Sequence, residues 1–290
     1  MEPRPESLNC PRCNKLISGY LDECSGCGLA NPASKAKWFG LLTLGGGSLI
    51  RPIIGLCILT FGMSYLLPML IPLLAAPTHS GLFGLLPSPS SKALAVLGWA
   101  DPRSIFSGQW HLLITAIFLH GGVLHILFNM LWVRDLGAQA EALLGPRLMV
   151  LAFVLTGIGG NLLAVYWPFF AHSLGVSSSF TPLVGASGAV FGLMGVIMSY
   201  APRKAGFMGL GLARQMGKWA LVLILLGFLM PGVSNLAHIG GFVSGWLLGK
   251  LIPLGRGRTL FESAGLFSLG LVIYAFATQF LLVSDWLSST

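Results

Sequence analysis

Charge is what this chain has least of. Lys, Arg, Asp and Glu together make up 9% of it, where a soluble domain carries about 25%. So few charges cannot cover a water-facing surface, and 54% hydrophobic residues exclude a disordered chain. Acidic residues are scarcest: 17 Lys and Arg stand against 9 Asp and Glu, a net charge of +8. Cysteine is also sparse, with four of the five in the first 27 residues, which excludes a disulfide scaffold spread over the chain. No internal repeat is visible, which argues against a transporter built from inverted halves. The polar start, with Glu2 and Glu6, does not read as a secretory signal.

What is present is a set of long uncharged runs: Arg51 to Lys92, Arg103 to Arg134, Arg147 to Arg203, Lys218 to Lys250 and Glu262 to Asp285. A membrane-spanning helix needs about 20 apolar residues. The runs predict seven helices, near 53–76, 120–137, 147–168, 185–201, 218–230, 235–252 and 262–284. Pro231-Gly232 divides the fifth from the sixth. With the N-terminus cytoplasmic, only Lys92 and Arg103 of the 17 basic residues fall outside. Fusing the fifth and sixth helices would move Lys250, Arg256 and Arg258 outside, so the positive-inside rule favours the split. The excess of positive charge is then chiefly an orientation signal, with contact to anionic lipid as its by-product. The stretch 77–108, rich in Pro, Gly and Ser, reads as a long external loop, and 202–217 as a cytoplasmic one.

Cys10-Pro11-Arg12-Cys13 and Cys24-Ser25-Gly26-Cys27 are two C-x-x-C knuckles ten residues apart. Four thiolates so spaced can surround one zinc tetrahedrally, with Gly26 and Gly28 suited to the turn of the second knuckle. A redox pair is the alternative. The expectation is a structural zinc ribbon over 1–35, joined by a basic linker, 36–52, to the membrane core. The ribbon is either a docking module for a cytoplasmic partner or a folded cap. Cys57, inside the first helix, reads as a buried apolar residue.

Polar residues inside spans are costly and mark functional candidates. Those singled out are His120, His125, Asn129, Ser187 and His238. On the topology above all five lie in the outer third of the membrane. Gly188 and Gly192 form one G-x-x-x-G, and Gly241 and Gly245 form another. Packing these stripes together brings Ser187 within hydrogen-bond reach of His238. A serine hydroxyl becomes a nucleophile when an adjacent base takes its proton. No Asp or Glu lies at that depth, so the pair is a dyad without a carboxylate. His125 and Asn129 share a helix face at i, i+4 and, with the Ser187 N–H, can bind an oxyanion. Singly, each of these residues is more often a packing or structural group.

The combination resembles the rhomboid intramembrane serine proteases. The matching segments are His120 through Asn129 (HGGVLHILFN), Gly185-Ala186-Ser187-Gly188, and Ala237-His238-Ile239-Gly240-Gly241 with Gly245, together with Gly137-Ala138-Gln139-Ala140-Glu141 and Gly145. They agree in order and spacing across about 110 to 250. The resemblance implies Ser187 as nucleophile, His238 as general base, and an oxyanion site from His125, Asn129 and the Ser187 N–H. It implies a six-helix core holding a water-filled cavity, a mobile fifth helix as gate, and transmembrane proteins as substrates. Two departures stand out: the family's Trp-Arg loop motif is Trp110-His111 here, and Phe191 stands where many members carry Tyr.

The expected architecture is therefore an all-α polytopic membrane protein, a six-helix core (53–255) plus one C-terminal helix (256–290), with the N-terminal zinc ribbon. No cofactor is expected for catalysis and no nucleic acid as partner. The expected location is a bacterial inner membrane, N-terminus inside and C-terminus outside, with Met230 to Asn235 capping the cavity. A non-catalytic rhomboid-like protein that binds membrane clients and a histidine proton relay are the rival readings.

Overall fold

The computed structural model describes residues 7–10, 16–32, 48–75, 88–176, 181–255 and 257–289. Two short antiparallel strands near the N-terminus, β1 (Ser7–Asn9) and β2 (Leu16–Ser18), set Leu8 opposite Ile17. From residue 49 onward the described chain is helices and their connections, with one isolated bridge between Ala100 and Leu183. The helices are α1 (Ile50–Leu70), α2 (Ser91–Leu97), α3 (Pro102–Phe106), α4 (Leu112–Thr115), α5 (Val123–Leu144), α6 (Pro146–Ser173), α7 (Ser187–Leu229), α8 (Asn235–Leu251) and α9 (Arg258–Ser289).

Among the described residues four helices are long and apolar enough to cross a membrane: α1, α6, α7 and α9. A fifth joins them if Leu112–Phe118 and α5, bent by 94°, count as one broken span. α7 has 43 residues, which as a straight rod would be about 65 Å long, twice the hydrocarbon core of a bilayer. It is not straight. Gly206, at φ 55° and ψ −127°, breaks it into two limbs, 187–205 and 207–229. α8, with 17 residues, is at the short end of what can span. Counting the limbs separately, the seven helices of the sequence reading are all present.

Three of the boundary differences have a local cause in the sequence. α1 starts at Ile50 and stops at Leu70, short of residue 76. Pro72 follows, and a proline disfavours helical geometry at the residue before it. The expected loop 202–217 is helical except at Gly206, in keeping with its Ala, Leu, Met, Lys and Arg content. The limbs fold back so tightly that a β-carbon at Gly209 would collide with the Ala201 carbonyl. Finally, the described part of the expected external loop, 88–108, holds α2 and α3. The Ser90 hydroxyl donates to the Leu74 carbonyl at 2.6 Å, and the Asp101 side chain caps α3 at Ser104 N, 2.9 Å. Residues 76–87 lie outside the described set.

The middle of the bundle is α6 and the first limb of α7, nearly all buried from Leu148 to Val154 and from Gly188 to Ile197. α1, the second limb of α7 and α9 flank them and turn apolar side chains outward, among them Leu59, Leu225, Phe228 and Ile273. In lipid such faces need no further burial.

α7 and α8 meet backbone to backbone. A β-carbon at Gly241 would strike the Gly188 carbonyl, one at Gly245 the Gly192 carbonyl, and one at Gly249 the Val196 carbonyl at 2.8 Å. The second G-x-x-x-G therefore continues one turn further than the sequence reading took it. α6 joins the contact through Gly160, whose β-carbon would face the Ala237 carbonyl at 2.5 Å.

Candidate active site

Ser187 is the first residue of α7 and half-buried. The first N–H groups of a helix lack an acceptor within it, so the Ser187 N–H is a donor aimed away from the helix at its positive end. His238 lies in the first turn of α8, buried, on a helix whose Ser234 caps it by accepting from Ala237 N at 3.3 Å. The close approach of α7 to α8 sets the two side chains together: His238 Nε2 lies 3.0 Å from Ser187 Oγ. Phe191, one turn along α7 from Ser187, stacks on the His238 ring at 4.2 Å with the planes 11° apart. A phenyl ring thus fixes the imidazole plane without a hydroxyl. His238 Nδ1 is buried and has no hydrogen-bond partner among the described residues. Among the described residues no carboxylate orients this imidazole.

His125 sits in the first turn of α5, just after the bend. Gly121 N–H donates to its Nδ1 at 3.3 Å, which leaves the ring hydrogen on Nε2. That Nε2 lies against Gly185, 2.7 Å from where a β-carbon would be. Gly185 has φ 128°, which L side chains avoid, so both backbone and space demand glycine two residues before Ser187. Asn129 is buried on the same helix face and donates to the His125 carbonyl at 2.8 Å, which uses one of its two amide hydrogens. His120 lies in the bend, fully buried, its ring 5.2 Å from that of His125 and its Nδ1 3.3 Å from the Phe118 carbonyl.

The five polar residues read from the sequence therefore gather at one end of the bundle, at the N-termini of three helices. Among the polar residues of the spans that were passed over, Asn161 and Gln279 carry amides. Asn161 donates to the Leu113 carbonyl at 2.9 Å, and Gln279 bonds both His111 and Val96. The rule that selected the five, polar atoms inside apolar runs, applies equally to these two.

At the N-terminus, Sγ atoms of Cys10, Cys24 and Cys27 lie within 4.8 Å of one another, Cys10 and Cys27 at 3.7 Å. Zinc bound tetrahedrally at about 2.3 Å per sulfur sets sulfurs about 3.8 Å apart, so this donor set fits the ion. Cys13, the fourth ligand expected, lies outside the described residues, as does most of the linker 36–52.

A Ser-His pair at a glycine-packed helix crossing, in a polytopic helical bundle, defines a class of membrane protein by its fold and by the placing of these two side chains. Comparison with known proteins gives the class its family. The rhomboid domain model matches residues 107–254. RHOMBOID-like protein 4 of Arabidopsis thaliana is 36% identical over 175 residues, covering 57% of this chain and 40% of its own. The putative rhomboid protease YdcA of Bacillus subtilis is 30% identical over 193 residues, covering 64% of this chain and 89% of its own. Rhomboid protease GluP of the same organism is 28% identical over 173 residues, 58% of this chain and 31% of its own. The chain belongs to the rhomboid family and is an integral, multi-pass membrane protein. It spans about half or less of several plant relatives: 40%, 51% and 52% of their lengths.

Proposed function

We propose that the chain is an intramembrane serine protease that hydrolyses peptide bonds in or beside transmembrane segments of other membrane proteins. The observation that carries this is the 3.0 Å contact between Ser187 Oγ and His238 Nε2, held by Phe191 stacking and the glycine crossing. Two relatives carry the word protease in their names, which supports the same reading.

His238 Nε2 takes the Ser187 hydrogen as Oγ attacks the substrate carbonyl carbon. The carbonyl oxygen, now an anion, is met by the Ser187 N–H, the His125 Nε2–H and the remaining Asn129 amide hydrogen. The C–N bond breaks as His238 returns the proton to the leaving amine. Water, activated by the same imidazole, then releases the acyl group. Among the described residues the Nδ1 hydrogen of His238 has no acceptor. Stacking on Phe191, not a carboxylate, holds the ring. A substrate helix must unwind first, because its carbonyls are bonded internally. Helix-breaking and small residues in the substrate therefore help.

The reading divides the chain into a zinc ribbon (1–35), a basic linker (36–52), the protease core (53–255) and an additional helix (256–290). It places the N-terminus in the cytoplasm, the site toward the outer face of a bacterial inner membrane, and Met230 to Asn235 over the cavity. Cys10, Cys13, Cys24 and Cys27 would hold zinc as a closed structural site, with no open position for chemistry.

A fluorophosphonate probe tests the site. It should label the purified chain at Ser187, and neither Ser187→Ala nor His238→Ala should label. A folded chain that the probe never marks would favour a non-catalytic rhomboid that binds membrane clients.

A further inference from the structure

Gln279 is a polar side chain in the apolar stretch of α9, far along the sequence from the residues discussed so far. Its amide is engaged at both its nitrogen and its oxygen. Nε2 donates to the Val96 carbonyl at 2.7 Å, and Oε1 accepts from His111 Nε2 at 2.9 Å. The two bonds fix each other: the carbonyl at Val96 can only accept, so the amide cannot flip, and Oε1 then requires the hydrogen on His111 Nε2. One side chain thus clasps both the end of α2 and the start of α4. The clasped turn is tight. Gly98, two residues after Val96, gives its carbonyl to the Thr115 hydroxyl at 2.6 Å, and a β-carbon there would lie 3.3 Å from the Gln279 amide carbon.

The clasped segment leads to the nucleophile through backbone alone. Ala100 and Leu183 exchange both N–H···O bonds at 3.0 Å, and Gly185 N–H donates to the Ala116 carbonyl at 2.9 Å. Leu183 and Gly185 are the residues that bring the chain into Ser187. Apolar packing on α9 follows the same route: Phe276, one turn before Gln279, meets Phe118 edge-on at 5.8 Å, and the Phe118 carbonyl accepts from His120.

Resting on the protease reading, we infer that Gln279 is a positioning residue: through His111 and Val96 it holds the 96–118 segment, and through that segment the approach of residues 183–185 to Ser187. The seventh helix is then a working part of the active site and not an appendage. His111 is the partner that links this segment to α9. A misplacement of about 1 Å at reacting groups can cost a hundredfold in rate, so small slack in this route is visible in turnover.

Gln279→Met keeps the length and removes both bonds. Gln279 also lines a cavity of about 290 Å³ with Val96, Gln109, Leu282, Val283 and Trp286, so the thioether has room to settle. In the purified full chain, kcat on a reporter transmembrane substrate should fall roughly ten- to a hundredfold with KM within about twofold. The fluorophosphonate labelling rate of Ser187 should fall in parallel. Hydrogen exchange at the Leu183 and Gly185 amides should quicken. His111→Leu should act likewise and the double variant should be little worse, since both act through one bond. His111→Gln, which still donates to Gln279, should recover most of the rate. If Gln279→Met does not fold, the His111 pair carries the same test. Unchanged kcat, labelling and exchange in the folded variants would overturn the inference, as would a loss confined to thermal stability. An unsubstituted chain that neither cleaves nor labels defeats the protease reading. Faster exchange at 183–185 in the variant would still sustain the link from α9, and unchanged exchange would defeat it too.

Discussion

At the scale of single residues the account turns on which hydrogens are available. His125 carries its hydrogen on Nε2 because Gly121 N–H occupies Nδ1. Asn129 has committed one amide hydrogen to the His125 carbonyl. Both donors are thereby held in place, which is what the proposed stabilisation of an oxyanion requires. Asn129→Ala should lower kcat by about 10²–10³ with little change in KM. The loss shrinks toward the lower bound if His125 and the Ser187 N–H share the charge. A change confined to KM would reassign Asn129 to substrate binding. The pairing of Ser187 with His238 was legible in the sequence because polar atoms in an apolar run are rare. The role of Gly185 was not: its φ and the ring of His125 lying over it come from segments 60 residues apart in the chain, and no local pattern encodes that contact. Gln279 was legible in type but not in partner, since His111 and Val96 lie in a stretch that reads as loop.

At the scale of elements, glycine spacing governs the geometry. The G-x-x-x-G stripes of α7 and α8 let two backbones touch, and this contact, not any bond between side chains, sets the distance from Ser187 to His238. Gly241→Ala pushes a methyl group against the Gly188 carbonyl, immediately beside the nucleophile. Overpacking of this kind typically costs about 1–3 kcal/mol. Gly241→Ala should lower the unfolding midpoint in detergent and also cut cleavage sharply, because the dyad opens. Gly249→Ala, two turns further from the site, should lower the midpoint comparably and cleavage far less. Equal effects of the two variants on cleavage would show that stability alone is being read. The helices themselves were legible from charge gaps, because lipid demands length and apolarity. Their ends were less so. Gly206 replaces an expected loop with one residue because the flanking sequence is helix-forming on both sides, and hydropathy does not register a turn made by a single φ.

At the scale of the whole molecule the proposed ribbon and the membrane bundle are separate chemical problems. Three cysteine sulfurs converge near the N-terminus, and a ribbon so short would bury too little to fold alone without a metal. A peptide of residues 1–35 should bind one zinc, be folded with it and unfold when a chelator removes it. Metal stoichiometry and circular dichroism read this directly, and a peptide that takes up no zinc refutes the ribbon. Chelation should leave cleavage in detergent largely unchanged, since a closed site offers no catalytic position. The proposed orientation is checked by single-cysteine labelling with an impermeant reagent in a chain freed of its native cysteines. Positions in Met230 to Asn235 should react from outside, and positions near Gly206 should not. Labelling near Gly206 from outside would reverse the topology.

The central claim is that Ser187 and His238 together hydrolyse a peptide bond inside a membrane protein. The most direct measurement is cleavage of a reporter transmembrane substrate by the purified chain, alongside Ser187→Ala, His238→Ala and the double variant, each shown to be folded. The account predicts turnover by the unsubstituted chain and background rates for all three variants. The double variant should be no slower than either single one, because the two residues act as a unit. Sustained turnover by folded Ser187→Ala would contradict it.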